Sequence, residues 1–320
     1  MVSGEWWEVR SRRSEVSTEY FEPLFAASRL PSPVSCPLSP VSCPLSPESL
    51  FGQILVEFLF RLTFGVAVAM GVTPSSQVTS GFFRIHLWVL LGLETLAFLT
   101  LYSRPQLKST HIPFAHWQLA CALIGAIVCF LGAAIWLYEK RREGKIAIWL
   151  VAALSLAALL LPVVEPLVYP QFMPHAKPLG WQIADRVTGG LVLGLVTTAM
   201  LLGHWYLNTP TMKLEPLRRL IVLLAAAVIA RAIVCGSGTG LELAGHATRQ
   251  GSELTTWLVF VGLRWLAGIV GVLGLAWLTW LTLKIPNTQS ATGILYAAVI
   301  LAFIGELTSQ LLSAEAMYPL

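Results

Sequence analysis

Residues 145–162 read KIAIWLVAALSLAALLLP, an almost unbroken apolar run behind the charged turn EKRREGK at 139–145. A half-buried strand would alternate apolar and polar residues, and this run does not. Its length is close to the about 20 residues that carry a helix across a bilayer. Seven further runs read the same way, at roughly 51–72, 81–102, 113–138, 186–206, 216–235, 254–282 and 289–312. In lipid each backbone amide must find its partner within the protein, and only a helix does so inside one continuous run. The chain is therefore expected to be all-α, a polytopic transmembrane helical bundle of eight spans. Composition agrees, with 56% hydrophobic and 12% charged residues and a mean hydropathy of +0.71. A soluble domain carries about 25% charged residues.

Residues 1–50 have a different character. The heptapeptide VSCPLSP occurs in tandem at 34–40 and 41–47, and such a Pro/Ser-rich tract cannot build a core. It is read as a disordered extension with no secretory signal, since no apolar stretch directly follows Arg10, Arg12 and Arg13. The domains expected are this extension (1–50), a transmembrane domain (51–312) and a short C-terminal tail (313–320). The connection at 163–185, with Pro162, Pro166, Pro170, Pro174 and Pro178 in or beside it, is read as an irregular cap on the membrane surface. The GSGTG at 236–240 has no preceding strand and no following lysine, so it is read as a flexible connector rather than a phosphate loop.

Lys and Arg near the helix ends set orientation. Connections 1–2, 3–4, 5–6 and 7–8 and their edges hold nine: Arg84, Lys140, Arg141, Arg142, Lys145, Lys213, Arg218, Arg219 and Lys284. The other connections hold five: Arg104, Lys108, Lys177, Arg186 and Arg249. Both termini are predicted outside.

Six ionisable residues fall well inside the spans: Glu57, Arg61, Glu94, Arg231, Arg264 and Glu306. A charge at the bilayer centre costs about 2.5–3.5 kcal/mol on insertion scales, so the six must face the interior and find partners. Three are acidic and three basic, which permits neutrality, and Glu57 and Arg61 share one helix face. At 1.5 Å per residue Glu57 lies about 9 Å below the outer surface. Glu94, Arg231 and Glu306 fall in the same outer half, with Arg61 and Arg264 near the midplane. The residues are read either as interhelical clamps or as the lining of one polar pocket for a quinol head group, an ion or a small solute.

His86 in RIHLW and His204 in GHWYLNTP lie about one turn inside the opposite surface. Two neutral imidazoles on different helices at one depth are what a b-type haem requires. A quinone or proton-handling role and plain packing in the interfacial aromatic belt are the other readings. His116 sits at the other surface, and His111, His175 and His246 are too dispersed for a metal site.

No CxxC, catalytic triad, paired-carboxylate motif or metal signature appears, and no basic stripe marks a nucleic-acid surface. No catalytic and no metal-binding residue is assigned. The last span contains Gly305, Glu306 and Leu307. With its eight helices and both termini outside, the chain resembles the membrane anchor subunits of DMSO reductase-type enzymes. Their last helix carries Gly-Glu-Leu followed by Gly-Arg, whereas Ser309 and Gln310 stand here. The resemblance implies a non-catalytic, quinone-interacting subunit in a bacterial inner (cytoplasmic) membrane, anchoring a redox partner subunit. The rival readings are a transporter or channel using the buried Glu and Arg residues, and a structural or assembly protein. The lipid bilayer is the expected partner in each, and quinone or b-type haem the candidate cofactor.

Overall fold

The computed structural model describes residues 47–104, 113–168, 177–209, 212–245, 252–285 and 287–320. Among them every extended regular element is helical: α1 (Pro47–Val72), α2 (Ser80–Tyr102), α3 (Pro113–Leu137), α4 (Arg141–Val168), α5 (Leu179–Asn208) and α6 (Glu215–Gly245). The seventh, α7, consists of Ser252–Trp265 and Val272–Lys284 joined by a π-helical turn, Leu266–Gly271; α8 is Thr288–Glu315. All eight are long and apolar enough to cross a membrane. The chain is a multi-pass, all-α membrane bundle. Helix ends alternate, so α1 begins and α8 finishes at one end, here called proximal; the other is distal. The VSCPLSP repeat lies outside the described residues.

The helices form two four-membered rings. In the first, α1 packs on α2 and α4, and α3 closes the ring between them; in the second, α5 packs on α6 and α8, with α7 closing it. The rings meet along α1 and α5. These two are the most enclosed helices, with 78% and 61% of their apolar windows buried against 44% or less elsewhere. They meet backbone to backbone. A Cβ on Gly65 would overlap the Gly190 carbonyl, and one on Gly194 would overlap the Gly65 backbone. Small residues permit this approach where lipid supplies no hydrophobic drive between helices. A second such contact joins α7 and α8 at Gly268 and Gly305. Large apolar side chains on the outside, such as Trp88, Leu99, Ile229, Ile233 and Trp277, face the lipid.

Two connections differ from the sequence reading. The GSGTG at 236–240 is not a connector, because α6 continues through it to Gly245. Ser237 and Thr239 donate to the carbonyls of Ile233 and Cys235 at 2.5 and 2.7 Å, while Gly238 lies against the Pro319 carbonyl. Glycine lowers helix propensity by about 1 kcal/mol, and here it gives a neighbouring segment room to dock. The expected cap is also shorter, since α4 runs over Pro162 and Pro166 to Val168 and α5 starts at Leu179. Pro162 has no N–H for the Ala158 carbonyl, and the Gln118 amide of α3 donates to that oxygen instead, at 2.8 Å. The short C-terminal tail docks on the bundle. Glu242 accepts from the amides of Met317 and Tyr318 at 2.5 and 2.8 Å, and Leu320 is 1% exposed.

Candidate functional site: an ion-pair ring and the pocket beside it

Glu57 and Arg61 are one turn apart on α1; Glu57 reaches α5, and Arg61 reaches both α5 and α8. Arg61 Nη2 donates to Glu57 Oε1 and to Asp185 Oδ2, each at 2.5 Å, and Nη1 donates to Glu306 Oε1. Arg231 of α6 reaches the same two acids from the other side. Its Nη1 lies 2.6 Å from Asp185 Oδ1, and its Nη2 lies 3.2 Å from Glu306 Oε2. The result is a closed ring, Arg61–Asp185–Arg231–Glu306, with one member from each of α1, α5, α6 and α8. Arg231 also donates to the Asp185 carbonyl at 2.8 Å, to Thr188 Oγ1 at 3.3 Å and to Ser309 Oγ at 3.1 Å. Gly189 leaves the space the ring occupies, for a Cβ there would lie 2.7 Å from Arg61 Nη1.

Glu57 and Arg186 continue the network outward, with Arg186 Nε 3.4 Å from Glu57 Oε1 and Nη1 3.2 Å from Gln182 Oε1. Three carboxylates and three guanidiniums make the whole set neutral. The membership differs from the six residues read in the sequence: Asp185 and Arg186 belong to the network, and Glu94 and Arg264 do not. Asp185 was missed because the fifth span was read from 186, although the helix starts at Leu179. At 1.5 Å per residue Asp185 is about 9 Å inside α5.

Arg264 lies behind α8 rather than in the ring. Its Nη2 contacts Cys235 Sγ at 3.1 Å and its Nε donates to the Leu320 carbonyl at 3.4 Å. That carbonyl also accepts from Ser309, which links Arg264 to Arg231 through one hydroxyl. Glu94 is in the other half of the bundle, between α2, α3 and α4, bonded to Ser155 at 2.7 Å.

A cavity of about 240 Å³ opens beside Glu57 and Arg186, between the proximal parts of α1 to α5. Gln53, Arg104, Gln118 and Glu165 supply further polar groups, and Phe60, Leu101, Phe114, Leu159 and Pro162 supply apolar walls. Arg104 lies just past the end of α2 and donates to the Gly52 carbonyl; burial holds its guanidinium below the usual arginine value. Sequence reasoning named only Glu57 of this pocket, because its other charged residues, Arg104, Glu165 and Arg186, stand near helix ends, where charges are ordinary. The signal within reach was Gln118 on α3, a buried-span amide facing a proline helix.

The histidines do not converge. His86 is buried, with Nδ1 2.5 Å from the Phe82 carbonyl and its ring 4.1 Å from Phe82 and 6.4 Å from Trp205. His204 precedes that tryptophan on α5, is exposed, and meets Tyr296 of α8 at 3.3 Å. Both hydrogen bonds engage Nδ1 and leave each Nε2 unengaged, and the ring that meets His86 from α5 is Trp205 rather than His204.

Fold and site together define a polytopic helical membrane protein with a closed interior ion-pair ring beside a proximal polar pocket. No protein-family model, characterised protein or solved structure matches the chain.

Proposed function

We propose that this protein is a quinone-interacting membrane subunit that receives a quinone head group in the proximal pocket and anchors a redox partner. The observation that carries the reading is the pocket's chemistry. A quinone ring needs flat apolar walls, which Phe60, Phe114 and Pro162 supply. Its oxygens need donors, available from Gln53, Gln118, Arg104 and Arg186; hydroquinone hydroxyls need acceptors, available from Glu57 and Glu165. The Gly305–Glu306–Leu307 resemblance to quinol-oxidising anchors supports the same reading and a bacterial inner-membrane setting. It also gives the predicted outer position of the proximal end its use. The His86 and His204 pair has no part in it.

A solute or ion transporter is the second reading, favoured by the unbroken path Arg186–Glu57–Arg61 from pocket wall to bundle centre. Tryptophan fluorescence of the purified protein, titrated with a short-tailed ubiquinone or menaquinone analogue, tests the first. Saturable quenching that Glu57→Gln and Arg186→Gln weaken about tenfold or more is expected. Quenching that neither change affects removes the quinone pocket, and solute uptake by vesicles then becomes the measurement of choice.

A further inference from the structure

The α1–α4 ring buries an acid that no cation answers among the described residues. Glu94 is 1% exposed and points from α2 into the seam with α3 and α4. Its Oε1 lies 2.7 Å from Ser155 Oγ of α4, and its Oε2 has no hydrogen-bond partner among the described residues. Opposite stands Gly125 of α3, where a Cβ would come within 3.1 Å of the carboxyl carbon. The titratable groups facing it are the α3 thiols Cys121 and Cys129. From α4 it meets only the Ser155 hydroxyl, and no ion pair reaches it among the described residues.

Ser155 has one hydroxyl proton and two contacts, Glu94 Oε1 at 2.7 Å and the Val151 carbonyl at 2.9 Å. A carbonyl only accepts, and serine hydroxyls inside helices commonly bond back to the carbonyl four residues earlier. An ionised carboxylate also only accepts: with the Ser155 proton on Val151 two acceptors would face each other, and with it on Glu94 Oε1 the Oε2 oxygen would still carry charge without a donor among the described residues. A carboxylic acid resolves this: Glu94 donates its proton to Ser155 Oγ, and Ser155 donates to Val151. The ionised form would leave a full charge with one neutral donor in a low-dielectric seam, which the membrane strongly disfavours.

We propose that Glu94 is a proton-binding site, held as a neutral carboxylic acid in the resting bundle and separate from the ion-pair ring. Whatever the proximal pocket binds, this site stands on its own residues. Its position gives it a use. Leu101 and Leu159 of the pocket wall lie seven residues from Glu94 and four from Ser155 on their helices, about 10 and 6 Å away along the axes. Buried Ala97, Ala122 and Ala158 occupy the interval. These small apolar side chains separate the acid from the pocket. Proton exchange with the pocket therefore requires α2, α3 and α4 to part and admit water.

Infrared difference spectroscopy of the lipid-reconstituted full chain at about pH 7, where an exposed glutamate is ionised, tests the proposal. Wild type minus Glu94→Gln is expected to show a protonated-carboxyl C=O component that wild type minus Glu57→Gln lacks. Ser155→Ala should move that component to higher frequency by removing the acceptor. Glutamine keeps the shape and can donate to Ser155, so the melting temperature should stay at the wild-type value. A difference spectrum with carboxylate bands and no C=O component overturns the proposal. So does a fall in melting temperature on Glu94→Gln, which would mean that a structural anion had been removed. Loss of quinone binding leaves these readouts unmoved, so the two ideas fail separately.

Discussion

Asp185 and Glu306 face each other across the same two guanidiniums, each carboxylate bonded to both Arg61 and Arg231. Neither arginine can lose one acid without the other becoming overloaded. Removing one partner from a buried pair typically costs about 3–5 kcal/mol. Asp185→Asn, almost isosteric, should lower detergent melting temperature markedly. Adding Arg231→Gln restores neutrality and should recover part of the loss. A single variant as stable as the parent would show that the ring does not hold the four helices together.

Glycine positions in the two halves of the bundle should differ sharply from one another. Gly194→Ala places a methyl into the Gly65 backbone and should abolish the α1–α5 seam, read as loss of monodisperse protein after extraction. Gly189→Ala meets side-chain atoms of Arg61 and Glu306 instead, which can shift, so a folded but less stable protein is expected. At Gly92 a Cβ meets nothing within 4 Å, and alanine there should be neutral or stabilise by up to about 1 kcal/mol. Equal behaviour of all three would contradict the backbone contact.

The eight spans were legible because a membrane helix is written in a run of apolar residues, whatever it packs against. Partnership was less so. Glu57 and Arg61 declared themselves by spacing, and Glu306 and Arg231 by depth. Asp185 was hidden because it stands about two turns past the last proline of a proline-rich stretch and looks like a loop residue. The sorting of Glu94 and Arg264 away from the ring depends on which helices are neighbours, and hydropathy carries no such information. Likewise, GSGTG looks like a linker until Pro319 is seen docked on Gly238.

Orientation can be read directly with thiol labelling. Lys140 is exposed at the distal end and Gly180 at the proximal end, and a Cβ at Gly180 meets nothing within 4 Å. In a Cys36→Ser, Cys43→Ser background, Lys140→Cys should react only from the cytoplasmic side and Gly180→Cys only from outside. Reversed labelling would invert the topology and place the pocket inside the cell.

Lys177 gives a pH signature outside the spans. Its ammonium donates to the Ser313 carbonyl at 2.5 Å, and burial, reinforced by Arg186, holds its pKa below the ordinary lysine value. The folded state then gives up this proton at a lower pH than the unfolded state, so the unfolded chain binds more protons in that window. Stability should therefore rise as pH climbs through the range just below about 10.4. Lys177→Met should flatten the rise. A fall in wild-type stability that is absent from the variant would reverse the sign and place the lysine in a favourable ion pair.

Gln118 joins the architecture to the pocket. Its amide satisfies the Ala158 carbonyl that Pro162 leaves free, and both Gln118 and Pro162 line the cavity. Gln118→Leu strands that carbonyl in an apolar setting, where a lost partner costs about 1–3 kcal/mol. Pro162→Ala in the same chain restores the backbone N–H and should return the stability. It cannot restore the side-chain amide to the pocket. The double variant is thus expected to melt like the parent and still bind a quinone analogue more weakly. Binding at parental affinity in the double variant would remove Gln118 from the site, leaving it the purely structural task of completing a proline-interrupted helix.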